Sequence, residues 1–133
     1  MTSEIKYLGD LRTEATHIAS GDSAFTDAPI DNFGKGEAFS PTDNLATALG
    51  TCLLTTMALA ANKKSIDITG ASAKVTKHMA SDPRRVKKVE VTVSMPAGDF
   101  DADTKAWLEN VGNHCPVALS LHPDLEQVIT YQW

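Results

Sequence analysis

The chain has two cysteines, and they stand in settings of different chemical character. Cys52 lies inside LATALGTCLLTTMALAA, residues 45–61, the most apolar stretch of the sequence, with Gly50, Thr51, Leu53 and Leu54 as near neighbours. A thiol attacks as its thiolate, so a reactive cysteine needs a positive charge, a helix N-terminus or a hydrogen-bond donor close by. The sequence neighbours of Cys52 supply none of these. The residue is therefore either a small hydrophobe filling a core or a nucleophile whose activating group comes from far along the chain. Cys115 sits in Asn113-His114-Cys115-Pro116, where the proline opens a helix and leaves the sulfur at its start, beside an imidazole. The helix dipole there favours a thiolate; the alternative role is a small polar cap.

Three arginines are candidate partners for an anion. Arg12 falls in the first strand region, where it either faces inward with a carboxylate partner or points to solvent as an ordinary strand charge. Arg84 and Arg85 follow a turn-forming Asp-Pro, which makes exposure their default, with anion binding or pairing across a dimer interface as the functional alternative. No metal site is expected. The two cysteines are too few for a four-ligand zinc centre unless a histidine joins them, and His17, His78, His114 and His122 stand in no recognised ligand spacing.

The elements that must position these groups fit one domain spanning residues 1–133, long enough to bury a core without staples. Apolar residues make up 42% and charged residues 22%, as in ordinary globular proteins. A net charge of −5 opposes nucleic acid and anionic membranes as partners. The opening MTSEIKYLGDLRTE has no apolar signal core, and the 45–61 run is interrupted by threonine and followed by Asn62-Lys63-Lys64, so a cytoplasmic protein is expected. Cysteines in such a chain are more often free or redox-active thiols than a structural bridge.

TEATHIASGDSAFTDAP reads as a hairpin turning at Ser20-Gly21-Asp22-Ser23, and APIDNFGKGEAFSPTD as a long loop. Ser40-Pro41-Thr42-Asp43 caps a helix. Leu45, Leu49, Cys52, Leu53, Thr56 and Ala60 recur on that helix at steps of three or four, while Leu54, Met57 and Ala58 are apolar on other faces, so burial nearly all round is expected. Strands follow in IDITGASAKVTKHMA and VKKVEVTVSMP, with Val89, Val91 and Val93 on one face and Ser81-Asp82-Pro83-Arg84-Arg85 as the turn. Asp101 or Asp103 caps a helix through TKAWLENVG, PVALSL forms a short one after Cys115, and LEQVITYQW closes the chain as a strand. The order predicts an α+β fold, antiparallel sheet wrapped around the apolar helix, with a second copy of the chain completing its cover.

FSPTDNLATALGTCL and NHCPVALSL, in this order, resemble the OsmC/Ohr family of thiol-dependent peroxidases, and LRTEATH, TDAPIDNFGKGEAFSPTD and DPRR are similar to its OsmC-like branch. The resemblance implies an OsmC-like fold in an entwined homodimer with two sites at the subunit interface. It implies that Cys52 is the peroxide-attacking cysteine, Cys115 the resolving cysteine, and Arg12 the arginine that holds the thiolate and polarises the peroxide. Phe39, Thr42, Asp43, Leu49, Leu53 and Met57 then fall around the substrate, and their apolar members favour an alkyl hydroperoxide over hydrogen peroxide. The hydroperoxide reductases carry a glutamate where this chain has Thr42, which leaves Asp43 or Glu37 to position the arginine.

The implied cycle needs no cofactor: Cys52 becomes a sulfenic acid, Cys115 condenses with it to a disulfide, and an external dithiol reductant restores both thiols. A different class of function fits the same residues: a non-catalytic module that binds a small hydrophobic ligand at the dimer interface.

Overall fold

The computed structural model describes residues 1–133, which divide into two compact units, Met1–Leu45 and Ala46–Trp133. In the first, β1 (Ser3–Gly9), β2 (Arg12–His17) and β3 (Ser23–Asp27) form an antiparallel meander in that order. The β2–β3 hairpin is the expected one, closed through Gly21 with φ of 80°. Strand β1 was not expected. Its Ile5 and Tyr7 alternate with Glu4 and Lys6, a short pattern whose side chains are all exposed in the chain, so no burial signal accompanies it. It joins β2 through Gly9, Asp10 and Leu11, all at positive φ.

After β3 the chain runs as a loop with one 3₁₀ turn, Ile30–Asn32, to the head of α1 (Pro41–Asn62). The helix starts as its sequence requires. The Ser40 N–H donates to Asp43 Oδ2 at 2.8 Å and the Asp43 N–H donates to Ser40 Oγ at 3.1 Å, a reciprocal cap that satisfies donors the helix cannot. Pro41, with no N–H to satisfy, takes the first helical position.

The second unit contains the rest of α1, then β4 (Ser72–Ser81), β5 (Arg84–Ser94), α2 (Ala102–Asn113), the single turn α3 (Pro116–Ser120) and β6 (Glu126–Gln132). The sheet order is β4-β5-β6. Strands β4 and β5 form the expected antiparallel pair, but β5 and β6 run parallel, Val89 opposite Gln127 and Val93 opposite Tyr131. The expectation of purely antiparallel pairing fails at this one ladder. Two helices separate β5 from β6, and a crossover of that length returns the chain to the end of the sheet from which β5 set out.

One face of the sheet supplies Val89, Val91 and Val93, each at most 1% exposed, as their alternation requires. They pack with Leu49, Leu53, Met57 and Ala61 of α1 and Leu108 of α2. Burial of each large aliphatic chain contributes about 1.5–3 kcal/mol. Gly50 belongs to the same contact: a Cβ there would lie 2.7 Å from Val75 Cγ2, so the glycine lets α1 approach β4 closely. The helix is not buried all round. Its buried stripe is Ala46, Leu49, Gly50, Leu53, Met57 and Ala61, whereas Leu45 and Leu59 are 38% and 60% exposed. Thr51 and Thr55 on the open side return their hydroxyls to the carbonyls of Thr47 and Thr51. By length and composition α1 is apolar enough to cross a membrane; its buried stripe shows how that apolarity is used within this unit.

Candidate functional site

Helix α1 presents Cys52 half-buried, one residue before the core side chain of Leu53 and one turn before Thr56, whose Oγ1 lies 4.0 Å from Cys52 Sγ. Cys115 is the N-cap of α3 and is fully buried. Its N–H donates to the Gly112 carbonyl at 3.1 Å and its carbonyl accepts from the Leu119 N–H at 3.1 Å. Both cysteines are reduced, and Cys52 lies near enough to act on the Cys115 thiol. The structure thus brings together the two sulfurs that the sequence could only name separately.

Burial pushes the Cys115 thiol above its ordinary pKa; the Ala118 N–H pulls the other way, while the neighbouring Cys52 and a negative charge on its sulfur push it up further. The expectation that a helix start makes Cys115 a thiolate is therefore reversed. The N–H groups of Ala118 and Val117 do lower it, as a helix start should, but α3 is a single turn and desolvation outweighs them. Nor does His114 assist: its Nδ1–H donates to the Asn110 carbonyl at 2.8 Å.

Strand β6 holds the Cys115 turn from both sides. Tyr131 Oη donates to Asn113 Oδ1 at 2.9 Å, with the Glu109 carbonyl at 3.3 Å, and Gln127 Nε2 donates to the Ala118 carbonyl at 2.9 Å. Trp133 Nε1 adds a bond to Glu109 Oε1 at 2.7 Å. Gly112 makes the Tyr131 approach possible, because a Cβ there would fall 2.8 Å from the phenolic oxygen. Burial, the Glu109 carboxylate and the charge of Cys115 raise the Tyr131 pKa, so the phenol keeps its proton.

In the first unit, Arg12 opens β2 and is gripped by two carboxylates. Its Nε and Nη2 donate to Asp27 Oδ1 and Oδ2 at 2.7 and 2.8 Å, and Nη2 donates to Glu37 Oε2 at 2.9 Å. The Asp27 side chain is buried and also accepts from the Glu37 N–H at 3.0 Å. The hydrogen bonds that Arg12 donates to Asp27 hold the Arg12 pKa above its ordinary value and the Asp27 pKa below the usual carboxylate range. Of the two groups expected to position the arginine, Glu37 does so, while Asp43 caps α1 with Ser40. Asp27 is the residue the sequence reading missed. Its signal was present: carrying the hairpin register outward from the Gly21 turn places Arg12 directly opposite Asp27.

The expected substrate-contacting set is divided by the fold. Leu49, Leu53 and Met57 have no exposed surface and fill the core against the sheet. The reason is helical phase: all three lie on the buried stripe of α1. Phe39 is 60% exposed, and Thr42 Oγ1 lies 3.1 Å from Ser40 Oγ in the helix cap. Arg84 and Arg85 are exposed at the start of β5.

With this geometry in view, the comparisons with known proteins are decisive about kinship. The family profile described as OsmC-like protein matches residues 34–128. The chain belongs to the OsmC-like family. A candidate osmotic stress induced and detoxification response protein from Psychrobacter arcticus 273-4 is 48% identical, with a TM-score of 0.95 over 99% of this chain and 96% of that one. An organic hydroperoxide resistance protein OsmC from Legionella pneumophila shares the fold at 14% identity, TM-score 0.79, over 100% and 98% of the two chains. The organic hydroperoxide resistance protein OhrB of Bacillus subtilis does so at 15% identity, TM-score 0.68, over 99% and 98%. No curated protein matches the chain. The OsmC-like fold expected from the sequence is thus the fold observed.

Proposed function

We propose that this OsmC-like protein is a thiol-dependent reductase of organic hydroperoxides, working through Cys52 and Cys115. The observation that carries the reading is the unbridged pair of neighbouring cysteines, one half-buried on α1 and the other buried with its proton. The Cys52 thiolate attacks the distal oxygen of the hydroperoxide, the O–O bond breaks, and the alkoxide leaves with a proton as the alcohol. Cys52 is then a sulfenic acid. The Cys115 sulfur attacks it, forming the Cys52–Cys115 disulfide, and the expelled hydroxide takes up the Cys115 proton as water. An external dithiol, oxidised to its own disulfide, restores the pair.

Arg12 is assigned to the peroxide oxygens in this reading. Three of its N–H donors are fixed on Asp27 and Glu37, and the two on Nη1 remain to stabilise developing charge. The proposal includes a cytoplasmic homodimer; the exposed Leu45 and Leu59 of the otherwise core-forming α1 support a second copy as their cover.

Stopped-flow oxidation of the reduced protein by an organic hydroperoxide and by hydrogen peroxide, beside Cys52→Ser and with products identified by mass spectrometry, tests the reading. Rapid Cys52-dependent formation of the Cys52–Cys115 disulfide, faster with the organic peroxide, is expected. A folded protein whose thiols resist both peroxides overturns it. The rival reading, a non-catalytic module for a hydrophobic ligand, draws on a groove of about 400 Å³ beside Leu59, Ala60, Trp107 and Val111. It predicts a co-purifying ligand and no peroxide consumption.

A further inference from the structure

Apart from the cysteines, β6 contributes the side chains that hold the turn bearing Cys115, and the reaction above assigns them no role. Tyr131 and Gln127 lie four residues apart on β6 and therefore share one face of it. They reach opposite sides of Cys115. Tyr131 takes the last turn of α2 through Asn113 and the Glu109 carbonyl, and Gln127 takes α3 through the Ala118 carbonyl. The Cys115 N–H closes the turn on Gly112, the residue whose missing Cβ leaves room for the phenol. Motion of this turn carries the Cys115 sulfur with it, because a single residue, His114, separates the Tyr131 anchor point at Asn113 from the cysteine.

We infer that Tyr131 is a positioning residue for the second half of the thiol cycle, holding the α2–α3 turn so that the Cys115 sulfur stays against Cys52. The inference rests on the proposed peroxidase reading for its place in the reaction, but the geometry it names does not. Tyr131 touches neither Cys52 nor the peroxide in this scheme. Its hydroxyl acts on the chance that Cys115 meets a Cys52 sulfenic acid before a second peroxide molecule oxidises that acid to the sulfinic state. The phenol is suited to a constant grip, since burial and neighbouring negative charge keep it protonated and therefore a donor. Phenylalanine would fill the same space without the grip.

Two measurements test this in the full-length protein. In the first, Tyr131→Phe is oxidised by an excess of organic hydroperoxide with no reductant present: the rate of Cys52 oxidation stays at the parent value, disulfide formation slows about five- to tenfold, as loss of one hydrogen bond predicts, and sulfinic Cys52 accumulates as a second peroxide molecule reacts. In the second, parent and variant are equilibrated with reduced and oxidised glutathione, and the fraction of Cys52–Cys115 disulfide is read by mass spectrometry. The variant's effective thiol concentration falls by a similar factor. Asn113→Ala removes the acceptor from an exposed position, leaves the phenol in place, and reproduces both effects, which keeps the test open should Tyr131→Phe fold poorly.

Parent rates of disulfide formation and an unchanged glutathione equilibrium in the variants overturn the inference. Slowing of both steps alike also overturns it, because that is the signature of a general loss of structure. If the parent protein itself ignores peroxide, the proposed function fails, and the glutathione equilibrium still decides whether Tyr131 positions Cys115.

Discussion

Gly112→Ala sets two effects of opposite sign against each other. Glycine near the end of α2 is a poor helix former, and alanine there would ordinarily stabilise by about 1 kcal/mol. The structure argues for the reverse. A Cβ at this position meets Tyr131 Oη at 2.8 Å, Met57 Sδ at 3.0 Å and Met57 Cγ at 3.1 Å. The phenol is tied to Asn113 and the Glu109 carbonyl, and Met57 has no exposed surface into which to retreat. Overpacking of a filled site costs about 1–3 kcal/mol, and displacing the phenol weakens a hydrogen bond worth about 1 kcal/mol. With the helix gain subtracted, the net is about 2 kcal/mol of destabilisation. For 133 residues, at about 2.1 cal/mol/K of unfolding entropy per residue, Tm falls by about 7 °C. Differential scanning calorimetry gives the answer, and the double variant with Tyr131→Phe gives the cause. Removing the phenolic oxygen should recover about 1 kcal/mol of the loss. A Tm above the parent, or strict additivity in the double variant, would refute the steric argument.

Acid titration reads the Arg12 clamp. Asp27 is held below its ordinary pKa by Arg12, so the unfolded chain binds the proton more readily; the stability is complete above about pH 4 and is lost as pH falls through the lowered folded pKa. Asp27→Asn should flatten that acid limb in Tm-against-pH curves and, on the proposed function, slow peroxide attack through a misoriented Arg12; parent-like behaviour in both measurements would exclude this. Iodoacetamide should label half-buried Cys52 before buried Cys115 in the folded protein, as peptide mass spectrometry will show; the reverse order would contradict the burial assigned to the pair. In Cys52→Ser, Cys115 should titrate at lower pH than in the parent, followed by thiolate absorbance, because the neighbouring charge has gone. Leu53→Ala should cost about 2–5 kcal/mol in urea unfolding while leaving the preference between peroxides unchanged, since Leu53 packs against the sheet.

What the sequence revealed follows the range over which each interaction acts. The head of α1 was legible because its cap is written in four consecutive residues, Ser40 to Asp43, and Asp101 announced α2 in the same way by accepting from the Thr104 N–H. The buried face of β5 was legible because Val89, Val91 and Val93 obey a period of two. Strand β1 was missed because its outward faces are exposed in the single chain, and the stripe of α1 was misread because an almost wholly apolar helix has little moment to set its phase. The parallel β5–β6 ladder depends on where a two-helix crossover returns, which no local pattern encodes. In the site, the cysteines were identifiable by type, but the burial that governs Cys115 and the grip of Tyr131 come from residues remote in sequence.

The opposition to a Cys115 thiolate weakens in the order that the proposed chemistry needs. While Cys52 is a thiolate, its charge holds the Cys115 proton in place, so the pair carries one negative sulfur and avoids two. Attack on a peroxide converts Cys52 to a neutral sulfenic acid, and the charge that opposed ionisation disappears. The N–H groups of Ala118 and Val117, which favour the thiolate throughout, are then opposed chiefly by burial. Cys115 becomes more acidic at the step where it must become the nucleophile. Positive charge at the helix start is thus best understood as acting late in the cycle, after its effect on the reduced pair has been masked by Cys52 and desolvation. The same burial excludes bulk water from the sulfur that must act next, which favours condensation over further oxidation provided the turn holds the two sulfurs together.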